Sequence, residues 1–148
     1  MGRYSDMTDM DAVVEDILRR YRTITVVGAS THEDKPAHYV PATMQQHGWR
    51  IIPVNPTATT VLGERAYPSL AEVDEPVEFV NVFRPSAQTP DVARQAVAAG
   101  ARAVWLQLGI ASAEARNVAE DAGLAYVENR CLLIERQRLR LSAPAPLP

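Results

Sequence analysis

The sequence predicts an α/β fold, a mainly parallel five-stranded sheet with helices on both faces. Three observations carry that expectation. Short β-branched runs with little polar alternation suit strands buried on both faces. Such runs alternate with amphipathic helical stretches about five times along the chain, as in open parallel sheets. The connections are only a few residues long and are punctuated by Gly and Pro.

Residues 8–22 read as a helix capped by Thr8 or Asp9, with Arg19, Arg20 and Arg22 at the end where the dipole favours cations. Val13, Val14, Ile17, Leu18 and Tyr21 form its apolar face, which suits packing on its own domain or on a second copy. The first strand is Thr23–Val27, ending at Gly28. A helix over 37–47 follows, with Pro36 and Pro41 competing for its first turn and Gly48 ending it. The second strand is Arg50–Val54, closed by Asn55-Pro56. Residues 57–76 are irregular, with a turn at Leu62-Gly63 and a short helix that Ser69 caps. The third strand spans Val77–Phe83 and stops at Arg84-Pro85. Thr89 and Pro90 read as cap and first residue of a helix to Ala99. Ala103–Leu108, Ala113–Ala122 and Leu124–Val127 complete the series as strand, helix and strand. Right-handed crossovers then give a Rossmann-like, doubly wound sheet, expected in the order 3-2-1-4-5. Residues 1–140 are read as one domain and the Pro-rich 141–148 as a disordered or extended tail.

Composition narrows the function. The 148 residues carry 15 Lys+Arg against 18 Asp+Glu, a net charge of -3, and Lys35 is the one lysine. That balance argues against gripping nucleic acid or an anionic membrane. No apolar run reaches the ~20 residues of a membrane span, and no signal-peptide core precedes the first helix. One cysteine, Cys131, supplies neither an internal disulfide nor a Cys-rich zinc site. A soluble, cytoplasmic protein is expected.

In a doubly wound sheet, ligands bind beyond the carboxyl ends of the strands, where the strand order switches. The first tip, Gly28-Ala29-Ser30-Thr31, is expected to present free backbone N–H groups to a diphosphate, with Lys35 as countercharge. A strand-to-helix turn without a ligand remains the plain alternative, and Glu33 and Asp34 would have to point away. The loop lacks the dinucleotide fingerprint G-x-G-x-x-G, since Ser30 and Glu33 hold its second and third glycine positions. The second strand ends in Asn55 rather than a ribose-binding acid, and there is no P-loop, so hydride transfer on NAD is disfavoured.

Six stretches, ITVVGAS (24–30), HGWRIIPVNP (47–56), LGERAYPSLAEV (62–73), VNVFRP (80–85), AVWLQLGI (103–110) and ENRCLLIE (128–135), resemble in sequence and order the small CoA-binding proteins. These are similar to the N-terminal CoA-binding domain of the succinyl-CoA synthetase alpha subunit. The resemblance covers about residues 20 to 139. It implies coenzyme A or an acyl-CoA extended across the strand tips, with the diphosphate near Gly28-Ala29-Ser30. The adenosine end would lie toward Val54-Asn55-Pro56, with Phe83-Arg84-Pro85 on the other side and Gln107-Leu108-Gly109 also in contact. The synthetase has a CoA-contacting lysine after the second-strand proline, where this chain has Thr57-Ala58-Thr59-Thr60. Lys35 or Arg84 is the substitute expected for that charge. The synthetase's phosphorylated histidine lies in a later domain, beyond the matching region, so acyl-CoA synthesis is not expected of this stretch.

Several residues carry two readings. Arg84 suits a fork onto phosphate or a surface ion pair. Asn55 suits a hydrogen bond to ribose or adenine, or closure of its own turn. Cys131 suits a mixed disulfide with CoA, activated by Arg130, or a buried inert thiol. His32 and His38 read as solvated loop residues, and Trp49 and Trp105 as packing side chains. The expected function is a non-catalytic CoA- or acyl-CoA-binding, sensing or accessory module, monomeric or homodimeric, with room for an unidentified protein partner. The alternative is an enzyme in the same groove, an NAD(P)-dependent oxidoreductase or an acyl-CoA-processing enzyme.

Overall fold

The structure, a computed structural model, describes the backbone of residues 6–146 and the side chains of 9–146. Five parallel strands form the sheet: β1 (Thr23–Val27), β2 (Arg50–Val54), β5 (Phe79–Val82), β6 (Ala103–Leu106) and β7 (Ala125–Val127). A two-stranded antiparallel hairpin, β3 (Thr60–Val61) and β4 (Glu64–Arg65), stands apart. Five helices accompany them: α1 (Asp6–Arg20), α2 (Pro36–Gln46), α3 (Thr89–Ala98), α4 (Ala113–Asp121) and α5 (Leu132–Leu139).

Period-two alternation sorts the strand side chains onto two cores. Phe79 and Trp105 face the layer of α1, α2 and α5, with Ile17, Leu18, Met44 and Leu132. Their neighbours Val80, Val82, Val104 and Leu106 face α3 and α4, whose Ala93, Ala96, Ala115 and Ala119 allow close approach. Both tryptophans pack as expected and donate their indole N–H inward, Trp49 to the Tyr21 carbonyl (2.9 Å) and Trp105 to that of Arg130 (2.8 Å). The apolar face of α1 is likewise spent on its own sheet, with Val14, Ile17 and Leu18 fully buried.

The strand order is β2-β1-β5-β6-β7, so the third long strand lies beside the first, not outside the second. The expected 3-2-1-4-5 is therefore corrected to 2-1-3-4-5, the other common doubly wound order. Backbone pairing fixes it: Thr25 lies against Val80, Val27 against Val82, and the Phe83 N–H donates to the Val27 carbonyl at 2.8 Å. The connection over 55–78 contains the hairpin and a single 3-10 turn, Leu70–Glu72, instead of an α-helix. An ion pair of Arg50 with Glu75 and a hydrogen bond from the Tyr67 hydroxyl to Asp74 (2.7 Å) hold that crossing in place. β2 thus becomes an edge strand, where Pro53 is tolerated.

Local departures have simple causes. α1 spans Asp6–Arg20 among the described residues, so Thr8 and Asp9 lie within the helix and not ahead of it. Thr89 is the first residue of α3, and its hydroxyl donates to the Ser86 carbonyl (2.7 Å) instead of accepting from the helix. The Ser69 side chain makes no cap hydrogen bond either. α5 was not expected; it follows Cys131 directly, and its buried Glu135 is bonded by Arg130 and Arg138. The stretch 141–146 has no regular structure but is not loose throughout. The Ala143 N–H donates to the His47 carbonyl, and Arg22 donates to the Pro144 carbonyl, each at 3.0 Å. Residues 147 and 148 lie outside the described residues.

Candidate ligand-binding site

α2 covers one face of the sheet and α3 the other, so the strand order switches between β1 and β5 and opens a crevice at their carboxyl ends. Two clefts lie there. The larger, about 670 Å³, runs over the tips of β5 and β6 between the starts of α2 and α5. The smaller, about 460 Å³, runs over the tips of β1 and β2 toward Pro68-Ser69-Leu70 and α3. Among the described residues Arg84 is the one that borders both.

Of the residues singled out in the sequence, Lys35, Phe83, Pro85, Gln107, Leu108, Gly109 and Cys131 line the larger cleft. Gly28, Val54 and Pro56 line the smaller one. Ala29, Ser30, Thr31 and Asn55 line neither.

The first tip departs from the expectation most. Three of its N–H groups are not free: those of Gly28 and Ala29 both donate to the Val54 carbonyl (3.1 and 3.2 Å), and that of Ser30 to the Ala37 carbonyl (3.2 Å). Pro41 explains the last bond. It sits inside α2 and has no N–H for the carbonyl four residues back, which is Ala37. The Ser30 hydroxyl accepts from the His32 N–H (3.0 Å), and the His38 ring lies 2.7 Å from the Ser30 carbonyl oxygen. Gly28 has a different task. Its φ is +92°, and a Cβ there would stand 2.5 Å from the Phe83 carbonyl oxygen and 3.1 Å from Arg84 Cδ. Only a glycine lets the tips of β1 and β5 close on each other with Arg84 laid across them.

Asn55 closes its own turn. Its Oδ1 accepts from the N–H groups of Thr57 (2.9 Å) and Ala58 (2.8 Å), and its Nδ2 donates to the Ala29 carbonyl (2.8 Å). This Asx turn occupies the groups that the other reading gives to a ribose.

The cations divide by position. Arg84 donates Nε and Nη2 to Gln88 Oε1 (3.0 and 2.6 Å), a neutral partner. Among the described residues neither Arg84 nor Lys35 pairs with a carboxylate. Arg130 shares its charge between two carboxylates, Asp11 (2.8 Å) and Glu135 (3.1 Å). Cys131 itself is a buried free thiol at the edge of the larger cleft.

Beneath that cleft lies a buried amide pair. Asn81 Nδ2 donates to the Trp105 carbonyl (3.2 Å) and to Gln107 Oε1 (3.4 Å), which also accepts from the Leu132 N–H (3.4 Å). Asn81 Oδ1 is buried without a partner. Sequence reasoning missed Asn81 and also missed the apolar walls: Tyr39 and Val40 on α2, Ile110 past β6, and Leu133 and Ile134 on α5. A signal for the last two exists in the run Cys131-Leu132-Leu133-Ile134, in which only Leu132 belongs wholly to the core. Among the described residues no group of three or more His, Cys, Asp or Glu is placed to hold a metal ion, and no helix is long and apolar enough to cross a membrane.

An arginine without an acidic partner, a close-approach glycine beneath it and an apolar cleft to one side fit a ligand with an anionic centre and a long neutral arm. The model of a CoA binding domain family matches residues 22–137. An uncharacterized protein of Bacillus subtilis, YneT, is 39% identical over 123 residues, 83% of this chain and 91% of its own length. A solved hypothetical protein from Pyrococcus horikoshii OT3 superimposes with a TM-score of 0.86 at 34% identity, covering 95% of this chain and 100% of that one. A weaker match, 30% over 73 residues, is to the ADP-forming acetate–CoA ligase II of Archaeoglobus fulgidus; it takes in 48% of this chain and 11% of the ligase. The chain belongs to the CoA-binding domain family.

Proposed function

We propose that this chain binds coenzyme A or an acyl-CoA across the carboxyl ends of β2, β1, β5 and β6, as a non-catalytic binding, sensing or accessory module. One observation carries the reading: Arg84, with no carboxylate partner among the described residues, stands where two clefts of different character meet. The diphosphate of the ligand lies on that guanidinium, which suits forked bonds to phosphate oxygens, and Lys35 adds charge from the loop before α2. The adenosine end occupies the smaller cleft beside Val54 and Pro56. The pantetheine arm runs into the larger cleft, and its thiol end lies toward Gln107, Leu108, Gly109 and Cys131.

Catalysis has less support. Among the described residues Cys131 makes no hydrogen bond to a histidine, and the His38 ring is engaged by the Ser30 carbonyl. Among the described residues Cys131 is therefore not part of a thiol–histidine pair of the kind that acyl transfer uses.

Calorimetry of ligand-stripped protein tests the reading, with NAD, NADP and ATP as controls and thioester integrity followed in parallel. Micromolar or tighter binding of CoA alone, with acyl-CoA left intact, is the expected result. Binding of a dinucleotide in place of CoA contradicts it, and steady loss of the thioester replaces the binding module with a hydrolase.

A further inference from the structure

We propose that the larger cleft is an acyl chamber, so that the ligand taken in preference is the thioester of CoA with an apolar acyl group of several carbons, not free CoA and not the thioester of a dicarboxylic acid. This deepens the CoA reading above and rests on it.

The first support is where exposed apolar bulk collects. Among the described residues the large hydrophobic side chains left exposed are Tyr39 (45%), Leu108 (57%) and Ile134 (51%). They come from α2, from the tip of β6 and from α5, yet all three line the same cleft. Single exposed apolar side chains need no explanation, but three converging on one concavity mark a binding surface. A pantetheine arm carries two amides along its length and makes limited use of such walls.

The second support is charge. Among the described residues the only charged side chains lining the cleft are Lys35 and Arg84, the two cations proposed for the phosphates. The remaining wall, with Ile110 and Leu133 beside the exposed three, offers a terminal carboxylate no further cation in return for its lost hydration.

The third support is a buried polar handle among mainly apolar walls. Gln107 is 4% exposed and lines the cleft. Its Oε1 is fixed by the Asn81 amide and the Leu132 N–H, which leaves its NH₂ without a protein partner among the described residues. An amide donor at the thiol end of the arm suits a thioester carbonyl, which a free thiol does not possess. Small-molecule sites commonly combine apolar walls with a few such placed polar groups.

The test is calorimetric titration with CoA, acetyl-CoA, hexanoyl-CoA and succinyl-CoA, on the parent and on Ile134→Asp, a change at an exposed position that the fold tolerates. A methylene fully removed from water strengthens binding about fourfold, and one half-covered in an open cleft about twofold, so hexanoyl-CoA should bind at least about tenfold tighter than acetyl-CoA. Succinyl-CoA should be the weakest thioester. The ratio of hexanoyl-CoA to CoA affinity should fall several-fold in Ile134→Asp. Equal affinity for all four compounds, or tightest binding of succinyl-CoA, overturns the chamber and leaves CoA binding standing. No binding of any of them overturns both readings together.

Discussion

Two strand tips meet at the switch point, and they behave differently. Gly28-Ala29-Ser30 after β1 has the look of a phosphate cradle, yet each of its three N–H groups is bonded within the protein. Phe83-Arg84-Pro85 after β5 has no glycine-rich character, yet it presents a guanidinium held only by a neutral glutamine. The first tip spends its hydrogen bonds on structure, tying β1 to the end of β2 and to α2. The second leaves its charge without a carboxylate partner among the described residues, as the proposed diphosphate contact requires. A short Gly-small-Ser turn thus acts here as a platform, and a guanidinium side chain is laid across it from the neighbouring strand.

The change that breaks this comparison most completely is Gly28→Ala. It places a methyl group against the Phe83 carbonyl in a backbone region unfavourable to side chains, and should cost about 2–4 kcal/mol of stability in denaturant titration. Asn55→Ala strikes the same platform from β2. It unpairs the Ala29 carbonyl and the N–H groups of Thr57 and Ala58, and should lower stability by about 1–3 kcal/mol. Arg84→Ala sharpens the comparison, because its effect belongs to affinity and not to folding. CoA binding should weaken by about tenfold to hundredfold, the worth of charge-assisted bonds to phosphate, at an unchanged thermal midpoint. Lys35→Ala, at an exposed position, should cost less than about fivefold in affinity.

The smallest effect is on acid stability and concerns the supports of both clefts. The hydrogen bond from Arg130 holds the Asp11 carboxyl below its ordinary range, and that from Arg50 does the same for Glu75. The first pair braces the start of α5, and the second the crossing beside the smaller cleft. A carboxyl whose pKa is depressed by folding contributes stability above its unfolded value, about 4, and loses it as pH falls through the folded value. The thermal midpoint should accordingly fall progressively below about pH 4–5, and Asp11→Asn should flatten that fall.

Much of this arrangement was legible in the sequence. The strands and three of the interior helices stand where period and punctuation put them, because buried β-branched runs and Gly-terminated helices are local signals. The pairing of the third strand was not legible, since nothing in residues 77–83 says which edge of β1 it joins. That one difference moves Arg84 from the far side of the second strand to a place directly above Gly28. The hairpin showed only as a turn at Leu62-Gly63, its strands being two residues each. α5 escaped because Leu133 and Ile134 face a cleft, so its apolar residues do not follow one buried stripe. Lys35, Arg84 and the tip at Gln107-Leu108-Gly109 line a cleft at the strand ends, whereas the free amides expected of Gly28–Ser30 are bonded within the protein, and the choice between the two readings of Asn55 required the hydrogen-bond geometry.

The most direct test of the account is a crystal structure of the protein with CoA. The prediction is a diphosphate oxygen about 3 Å from the Arg84 guanidinium, the adenosine in the smaller cleft and the pantetheine arm in the larger one. A diphosphate seated on the amides of Gly28, Ala29 and Ser30, with Arg84 still bonded to Gln88, would contradict it.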